Sequence, residues 1–585
     1  MWFQNICEKV KRKKNNHIYL LLLFCIIINA IGFLYLIKYN DPIFGTNDDY
    51  RMRLIVSGQY FGEPLKDAVF LNVVLSWGLK SLYCLNSNIE WYGLYMFIAM
   101  YISCTIVHYI FVKNSSTFKS FLIKNVQYII IFILLLYRQL LMVQFTMVAA
   151  MLCMAAIACL VEWAKLYTKN NKLHNWYFIL FVFCFLLSLL TRKKVSMMGI
   201  PIIMIIVFMT FIQQHLTKRM LLKALIGVLV ILCPFAVNLS YYANEENLSY
   251  NDFNVMRSKV MDYKGLPDFQ ENKQFYRSIN MDETAYNALE SRNFDMDPSI
   301  STENLEKIKE YSDKIKEDDI FDRFAKAVNN SFQELTGSET VYTTITIAFM
   351  LILAFYYRNQ LNLFEKLLLC IIPLYYYFST VFFLFTGRIM VRLIDSVAII
   401  SLGIYFSICN HTINNVDRPI LNKCISVLFI LSTLFPIFGN CYQLFGNEQG
   451  IRSYTMKKSD ELIAIEEYAR KNPDNFYFYN SLDFIACSDY VFRDYSRDYL
   501  NMDCLGNWYS KSKVYYERNK QYGYESAVDE LLYNPSVFYI EEGNYHASID
   551  GVMKKNGKQF VLIDTILVDG KVLNIYHSID LDTTQ

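Results

Sequence analysis

The chain has 585 residues, of which 54% are hydrophobic and 16% aromatic, with a formal net charge of +2. The apolar residues gather in blocks near 20 long, the length a helix needs to cross the hydrocarbon core of a bilayer. That composition excludes an ordinary soluble protein, and no basic domain is present that would bind nucleic acid.

Taken in order, the chain opens with a basic tail (Lys9, Lys11, Arg12, Lys13, Lys14) followed by an apolar run from Ile18 to Ile37. The run is longer than a signal-peptide core and no small-x-small cleavage site follows, so it reads as a retained first span with its tail in the cytoplasm. A loop with adjacent acids, Asp48 and Asp49, opens next. Residues 67–84 mix Asn72, Trp77 and Lys80 with apolar side chains, and either span or lie along the interface. Clearer spans follow at 91–112, 121–137, 140–161, 175–190, 195–212, 220–240, 340–357, 366–385, 389–409 and 421–441. If 67–84 lies on the surface, the inward loops hold roughly twice as many Lys and Arg as the outward ones, as the positive-inside rule requires. The expectation is therefore a mainly α, polytopic transmembrane helical bundle of about eleven spans, tail inside and C-terminus outside.

Two polar regions then face outward. Residues 241–338 are rich in Asp, Glu and Lys, and form either a small external subdomain or a long mobile loop. Residues 446–585 read as a small extracytoplasmic α/β domain. Ser459 to Lys471 has helical spacing and stops before Asn472-Pro473. Phe476 to Tyr479, Val537 to Ile540, Phe560 to Leu567 and Lys571 to Tyr576 read as strands, the last two joined through Asp569-Gly570, a hairpin signal. The domain plan is 1–240 (N-terminal membrane module with its first outer loop at 39–90), 241–338, 339–445 (C-terminal spans) and 446–585. Most of the 14 cysteines lie in apolar spans, where they act as small hydrophobes. Only Cys487 and Cys504 fall in clearly soluble sequence, and a disulfide between them is one reading. No Cys/His cluster has metal-ligand spacing.

Acids at a membrane edge are costly and point to chemistry. Moving a sugar from a lipid phosphate to a hydroxyl needs a carboxylate to take the acceptor proton, cations to meet the departing phosphate, and a groove for the lipid tail. Asp48 and Asp49 meet the first need. Arg192, Lys193, Lys194, Arg388 and Arg392, all outward-facing against the positive-inside trend, are candidates for the second. Each of these five also fits snorkelling to lipid headgroups. Arg388 and Arg392 are spaced to share a helix face, and Asp395 is placed to pair with Arg392. Arg138, at a hairpin tip, is a weaker candidate.

The run Asp48-Asp49-Tyr50-Arg51-Met52-Arg53, followed by Ser57-Gly58-Gln59-Tyr60, resembles the first outer loop of polytopic glycosyltransferases of the type C (GT-C) fold. The lipid-sugar-dependent members, including protein mannosyltransferases and aminoarabinose transferases, carry there an Asp-Glu pair followed by an arginine-containing helix. An interfacial helix after the motif and a soluble C-terminal domain outside are also that family's layout. The resemblance implies that Asp48 is the catalytic base, that Asp49 stands where the usual glutamate does, and that Arg51 joins the phosphate-binding cations. It implies a polyprenyl-phosphate sugar donor and an extracytoplasmic glycan, lipid or protein acceptor. A divalent metal stays open as a cofactor. The alternative is a lipid-linked glycan transporter or polymerase-like envelope assembly protein, which would use the basic residues and have no need of the acid pair. A third reading is a structural or sensing protein whose outer domains bind a partner.

Overall fold

The computed structural model describes residues 14–167, 174–213, 218–263, 265–315, 319–337, 340–357, 359–388, 390–411, 441–480, 489–492, 501–543 and 547–581. The fold is mainly helical with a small sheet near the C-terminus. Eight helices are long and apolar enough to cross a membrane, nine if a bent pair counts as one span. They are Tyr19–Asn40, Trp91–Val112, Phe118–Leu141, Phe145–Tyr167, Lys193–Ile212, Leu221–Tyr241, Leu363–Phe385 and Val391–Ile408. The count falls below the eleven expected for three reasons. The apolar helix Asn175–Thr191 is shorter than a span, and Val341–Ala354 meets the amphipathic helix Ile320–Thr336 at 86°. The expected span at 421–441 lies almost wholly outside the described residues, as does the basic tail before Lys14.

The helix Phe145–Tyr167 is the central post of the bundle, every residue from Phe145 to Ala164 being buried. It packs against Trp91–Val112, His174–Thr191, Lys193–Gln213 and Val391–Ile408. Its many alanines let neighbours approach closely, as packing in lipid favours. The outer helix Lys218–Tyr241 is the opposite case: Leu221, Leu222, Leu225, Ile226, Leu229 and Leu232 are all exposed, a face suited to lipid and not to water. Twenty-three residues at helical rise put about 34 Å between the two ends of the post. Both ends are polar. At one, Glu162 binds Lys113 and Lys165, and Lys165 reaches Glu365 at 3.0 Å, which His411 also contacts. At the other stands the acid motif. Two polar layers separated by an apolar length near a bilayer's thickness fit a multi-pass membrane protein. Residues 67–84 contribute the helix Val73–Leu85, only 13 residues long, capped by Asn72.

The polar segment after the sixth of these spans is folded, as the helices Glu245–Met261, Lys273–Ser278, Glu283–Glu290, Thr302–Ile315 and Ile320–Thr336. It is not a free-standing subdomain: Phe253, Tyr276, Leu289 and Ile308 share one apolar core with Phe476, Phe478 and Tyr539 of the C-terminal domain. The approach is close at Gly506, where a Cβ would fall 1.8 Å from the Arg292 carbonyl oxygen.

Two short strands, β1 (Ile43–Phe44) and β2 (Met142–Val143), pair in parallel at the mouth of the bundle. The C-terminal domain joins them there, with Phe44 N–H donating to the Asp489 carbonyl and Val491 N–H to the Pro42 carbonyl, at 2.9 and 2.8 Å. The domain's own sheet comprises β3 (Phe476–Tyr479), β4 (Met502–Cys504), β5 (Val537–Glu542), β6 (Lys558–Val568) and β7 (Lys571–Asp580), in spatial order β4-β3-β5-β7-β6. The first three are parallel and β7 runs antiparallel to both neighbours. Four strands fall at the segments read as strands from the sequence. Asp569 and Gly570 have φ of 48° and 81° and make the expected tight turn. The strand β4 was not anticipated, because three buried residues carry no period. The helix before β3 runs from Cys441 to Lys471, longer than the 459–471 expected.

What binds this domain to the bundle is the helix Asn47–Ser57, which holds the acid motif. Tyr50 donates its hydroxyl to Glu466 at 2.9 Å. Arg51 reaches Asp503 at 3.1 Å and the Tyr479 hydroxyl at 2.7 Å, and Arg53 meets Asp489 at 2.8 Å. Asp503 also accepts from Arg518, Tyr60 and Tyr509. Tyr60 gets there because Gly58 ends the helix at φ 94°, a position where a Cβ would meet the Pro64 nitrogen at 2.7 Å. Removing one partner from such a buried set leaves charge uncompensated, at a cost of about 3–5 kcal/mol. Asp503→Ala should therefore lower the thermal stability of the purified protein sharply and expose the 446–585 region to protease. An unchanged melting temperature would contradict the clamp.

Candidate functional site

The two acids of the motif lie side by side in the first turn of their helix, yet the structure gives them different work. Asp49 is fully buried and its carboxylate is spent. It accepts from Thr46 Oγ1 at 2.9 Å, from the Tyr92 hydroxyl at 2.9 Å and from the Phe145 N–H at 3.1 Å. The last bond caps the central post, where a carboxylate also meets the positive end of the helix dipole. Burial nevertheless outweighs these three donors and raises the Asp49 pKa to about 7. Both oxygens of Asp49 are thus engaged, and they tie the motif helix to Tyr92 and to the start of the central post.

Asp48 is half-buried, and no hydrogen bond to its carboxylate is made among the described residues. Burial raises its pKa, opposed by Arg392, Arg192 and Arg257 in falling order, with Asp262 adding a smaller push upward. Asp48 therefore sits among cations without being hydrogen-bonded by any of them.

Those cations come from three separate parts of the chain. Arg192 lies between the helices His174–Thr191 and Lys193–Gln213. Its guanidinium is stacked against the rings of Phe70 and Phe145, at 4.8 and 4.6 Å. Burial pulls its pKa down to about 10; Asp48 opposes this, while Arg392 and Arg388 add to it. No ion pair to Arg192 or to Arg392 is made among the described residues. Arg392 stands in the first turn of the helix Val391–Ile408 and Lys193 and Lys194 in that of Lys193–Gln213, where a cation works against the helix dipole. Arg388 belongs to the loop before its helix, so it does not share a helix face with Arg392 as the spacing predicted. It pairs with Asp262 at 3.7 Å and lies over the Tyr263 ring at 5.1 Å. The expected Arg392–Asp395 pair is replaced: Asp395 accepts from Thr343 at 2.5 Å and Gln139 at 3.4 Å, and its nearest cation is Arg138 at 3.9 Å. Arg51, expected among the phosphate-binding cations, is held instead by Asp503 in the domain clamp.

Arg257 and Asp262 were missed. They lie in and just after the polar helix Glu245–Met261, and their sequence carries no sign of the fold that brings them to Asp48. Arg257 is itself buried, and both it and Arg292 face Asp262 at 3.6 Å. The cluster thus sets Arg192, Arg257, Arg388 and Arg392 against Asp48 and Asp262. Among these named groups the cations outnumber the carboxylates, so the local field is positive.

An apolar groove of about 410 Å³ leads away from it. Its walls include Phe70, Leu186, Leu189, Ile200, Leu232 and Phe235, and among the described residues Arg192, Lys193 and Lys194 are its only charged lining residues. The Asn72 side chain and the Val73 N–H bond to Pro234 and Asn238 at 3.2 and 2.8 Å, fixing the groove's far wall. Among the described residues, no group of three or more His, Cys, Asp or Glu could hold a metal ion. Of the proposed disulfide, Cys504 lies 2.7 Å from the Tyr509 hydroxyl and Cys487 lies outside the described residues. Compared with known proteins, the chain matches no family model, no curated protein and no solved structure.

Asp49 supplies a pH test of its own. Its folded pKa of about 7 lies above the ordinary 3.8, so the folded state holds the proton more tightly. The stability it contributes is full at low pH and is lost as pH rises from about 4 to about 7. Asp49→Asn, which keeps an oxygen for Tyr92 and Phe145, should flatten that stretch of the stability curve. The same slope in both proteins would contradict the assignment.

Proposed function

We propose that the chain is a membrane glycosyltransferase of the type C kind, which moves a sugar from a polyprenyl-phosphate donor to a hydroxyl of an extracytoplasmic glycan, lipid or protein. The observation that carries this reading is the Asp48 carboxylate, which makes no hydrogen bond among the described residues and feels the charges of Arg392, Arg192 and Arg257, Arg192 itself standing on the apolar groove. A carboxylate so placed is a base waiting for a proton, and the surrounding arginines are donors waiting for an anion.

In this mechanism the polyprenyl tail lies in the groove and the donor phosphate rests against Arg192 and Arg392, with Lys193 and Lys194 at the rim. Asp48 takes the proton of the acceptor hydroxyl. The acceptor oxygen bonds to the anomeric carbon from the face opposite the phosphate, the carbon–oxygen bond to phosphate breaks, and its electron pair leaves with the lipid phosphate. Inversion at the anomeric carbon follows. The raised pKa of Asp48 suits it to accept the proton, and the arginines stabilise charge that appears only as the bond breaks. With the N-terminal tail in the cytoplasm, the motif and the C-terminal domain stand on the outer face.

Asp48→Asn should cut transfer by about 10²–10⁴ while the protein still folds and binds donor. Purified protein assayed with a synthetic polyprenyl-phosphate sugar measures this, and unimpaired transfer would sink the reading. If the variant instead moves lipid-linked glycan across vesicles with no donor consumed, the transporter alternative gains. Leu189→Trp, which narrows the groove, should raise KM for long-chain donors more than for short ones. An equal change for both chain lengths would place the tail elsewhere.

A further inference from the structure

Asp262 is the second carboxylate of the cluster, and the transfer mechanism gives it no task. It caps the C-terminal end of the helix Glu245–Met261, its N–H donating to the Ser258 carbonyl at 2.8 Å. A carboxylate there works against the helix dipole, so helix stability does not account for it. Three arginines from separate parts of the chain face it instead. Arg257, on the same helix, stands at 3.6 Å. Arg292, also at 3.6 Å, comes from a turn whose carbonyl accepts from the Asn507 N–H of the C-terminal domain at 3.1 Å. Arg388, at 3.7 Å, comes from the loop before the helix Val391–Ile408. The Ser258 hydroxyl donates to the same carboxylate at 2.8 Å and fixes its direction. Arg257 is the cation that the two carboxylates share, and Asp262 acts on it more strongly than Asp48 does. Its Nε and Nη2 donate to the Asn254 side-chain oxygen at 3.0 and 2.8 Å, and its Nη1 faces Asp262. With its nitrogens directed elsewhere, Arg257 lends Asp48 positive charge and no hydrogen bond.

We propose that Asp262 is a positioning residue for the Asp48 base: it holds Arg257, Arg292 and Arg388 on its own carboxylate and so keeps them from pairing with Asp48. The inference rests on the transferase reading, whose base it serves. An arginine that closed on Asp48 as a fork would take both its oxygens and leave none for the acceptor proton. Such pairing also favours the ionised form and makes the carboxylate a weaker base. Among the described residues, the charged and titratable groups around Asp48 are Arg392, Arg192, Arg257 and Asp262, with Asp49 beside it. Tyr92 and Tyr250 face it from the helices Trp91–Val112 and Glu245–Met261. Around Asp262 they are the three arginines and Lys194. Of the two other acids, Asp49 is bonded to Thr46, Tyr92 and Phe145, which leaves Asp262 to hold the arginines.

The test uses the full chain in lipid nanodiscs and follows Asp48 itself. Infrared difference spectra between pH values report carboxyl protonation, and the Asp48 band is the one lost in Asp48→Asn. Asp262→Asn keeps the side chain's size and removes its charge. The Asp48 midpoint should then fall by about one pH unit or more, because a negative neighbour is gone and freed arginines close on the carboxylate. Arg257→Gln removes a cation and should move the midpoint up, and Asp262→Glu should leave it near the wild-type value. Opposite signs in the first two variants separate charge from damage to the fold. The acid limb of kcat/KM with a synthetic polyprenyl-phosphate hexose should follow the carboxyl midpoint, and Asp262→Asn should lower the plateau about tenfold. An unmoved midpoint in Asp262→Asn would overturn the proposal. So would slower transfer with the acid limb unmoved, which is what a purely structural acid would give. If the midpoint moves as stated while Asp48→Asn transfers at the wild-type rate, the charge arrangement holds and it is the transferase reading that fails.

Discussion

The structure depends on how one short helix is held. Asn47–Ser57 has 11 residues, and from it Tyr50, Arg51 and Arg53 reach Glu466, Asp503 and Asp489, three different parts of the C-terminal domain. Buried ion pairs of this kind add little net stability, because desolvating the charges costs about what their attraction returns. Their value is geometric. Arg51 and Arg518 close on Asp503 from both sides and hold its carboxyl below the usual range despite burial, so all three stay charged and directional. On the other side Asp49 caps the central post. The helix is thereby fixed to the C-terminal domain and to the bundle core at once, and among the described residues Asp48 is the acid of the motif with no hydrogen bond.

The contrast between the two adjacent acids follows from that fixation. Given three donors, Asp49 is satisfied. Given none among the described residues, Asp48 keeps its lone pairs and faces a cluster richer in arginine than in carboxylate. Arg192 illustrates what the surroundings cost: an arginine packed between two aromatic rings, with no carboxylate pairing it among the described residues, is depressed to about 10. A chain that keeps such a residue beside an apolar groove bears a penalty that an anion would relieve. The groove beside it is lined mostly by apolar side chains, with Arg192, Lys193 and Lys194 as charged residues on its wall.

Much of the membrane module was legible because hydrophobic runs near 20 residues need only local reading. The hairpin at Asp569-Gly570 was legible for the same reason, since two residues with positive φ suffice. The acid pair and the cations at 192–194, 388 and 392 stood out by charge against an apolar background. What sequence could not give was partner choice. Arg51 lies three residues from Asp48 and reads as part of the site, yet its partner is 452 positions away. Asp395 was assigned to Arg392 by spacing, whereas tertiary packing gave it Thr343, Gln139 and Arg138. Arg257 and Asp262 looked like surface charge in a polar segment, and only the packing of that segment onto the C-terminal domain carries them to the motif. Local pattern names the elements; which charges meet is a property of the fold.

On the proposed function, the Asp48 cluster receives the phosphate of a lipid-linked donor. A structure of the chain bound to a non-hydrolysable polyprenyl-phosphate sugar analogue tests this most directly. The phosphate should then lie within hydrogen-bond reach of Arg192 and Arg392, the tail along Leu189 and Ile200, and the anomeric carbon should face Asp48. A phosphate bound at the opposite polar layer, among Lys113, Lys165 and Glu162, or a tail outside the groove, would contradict it.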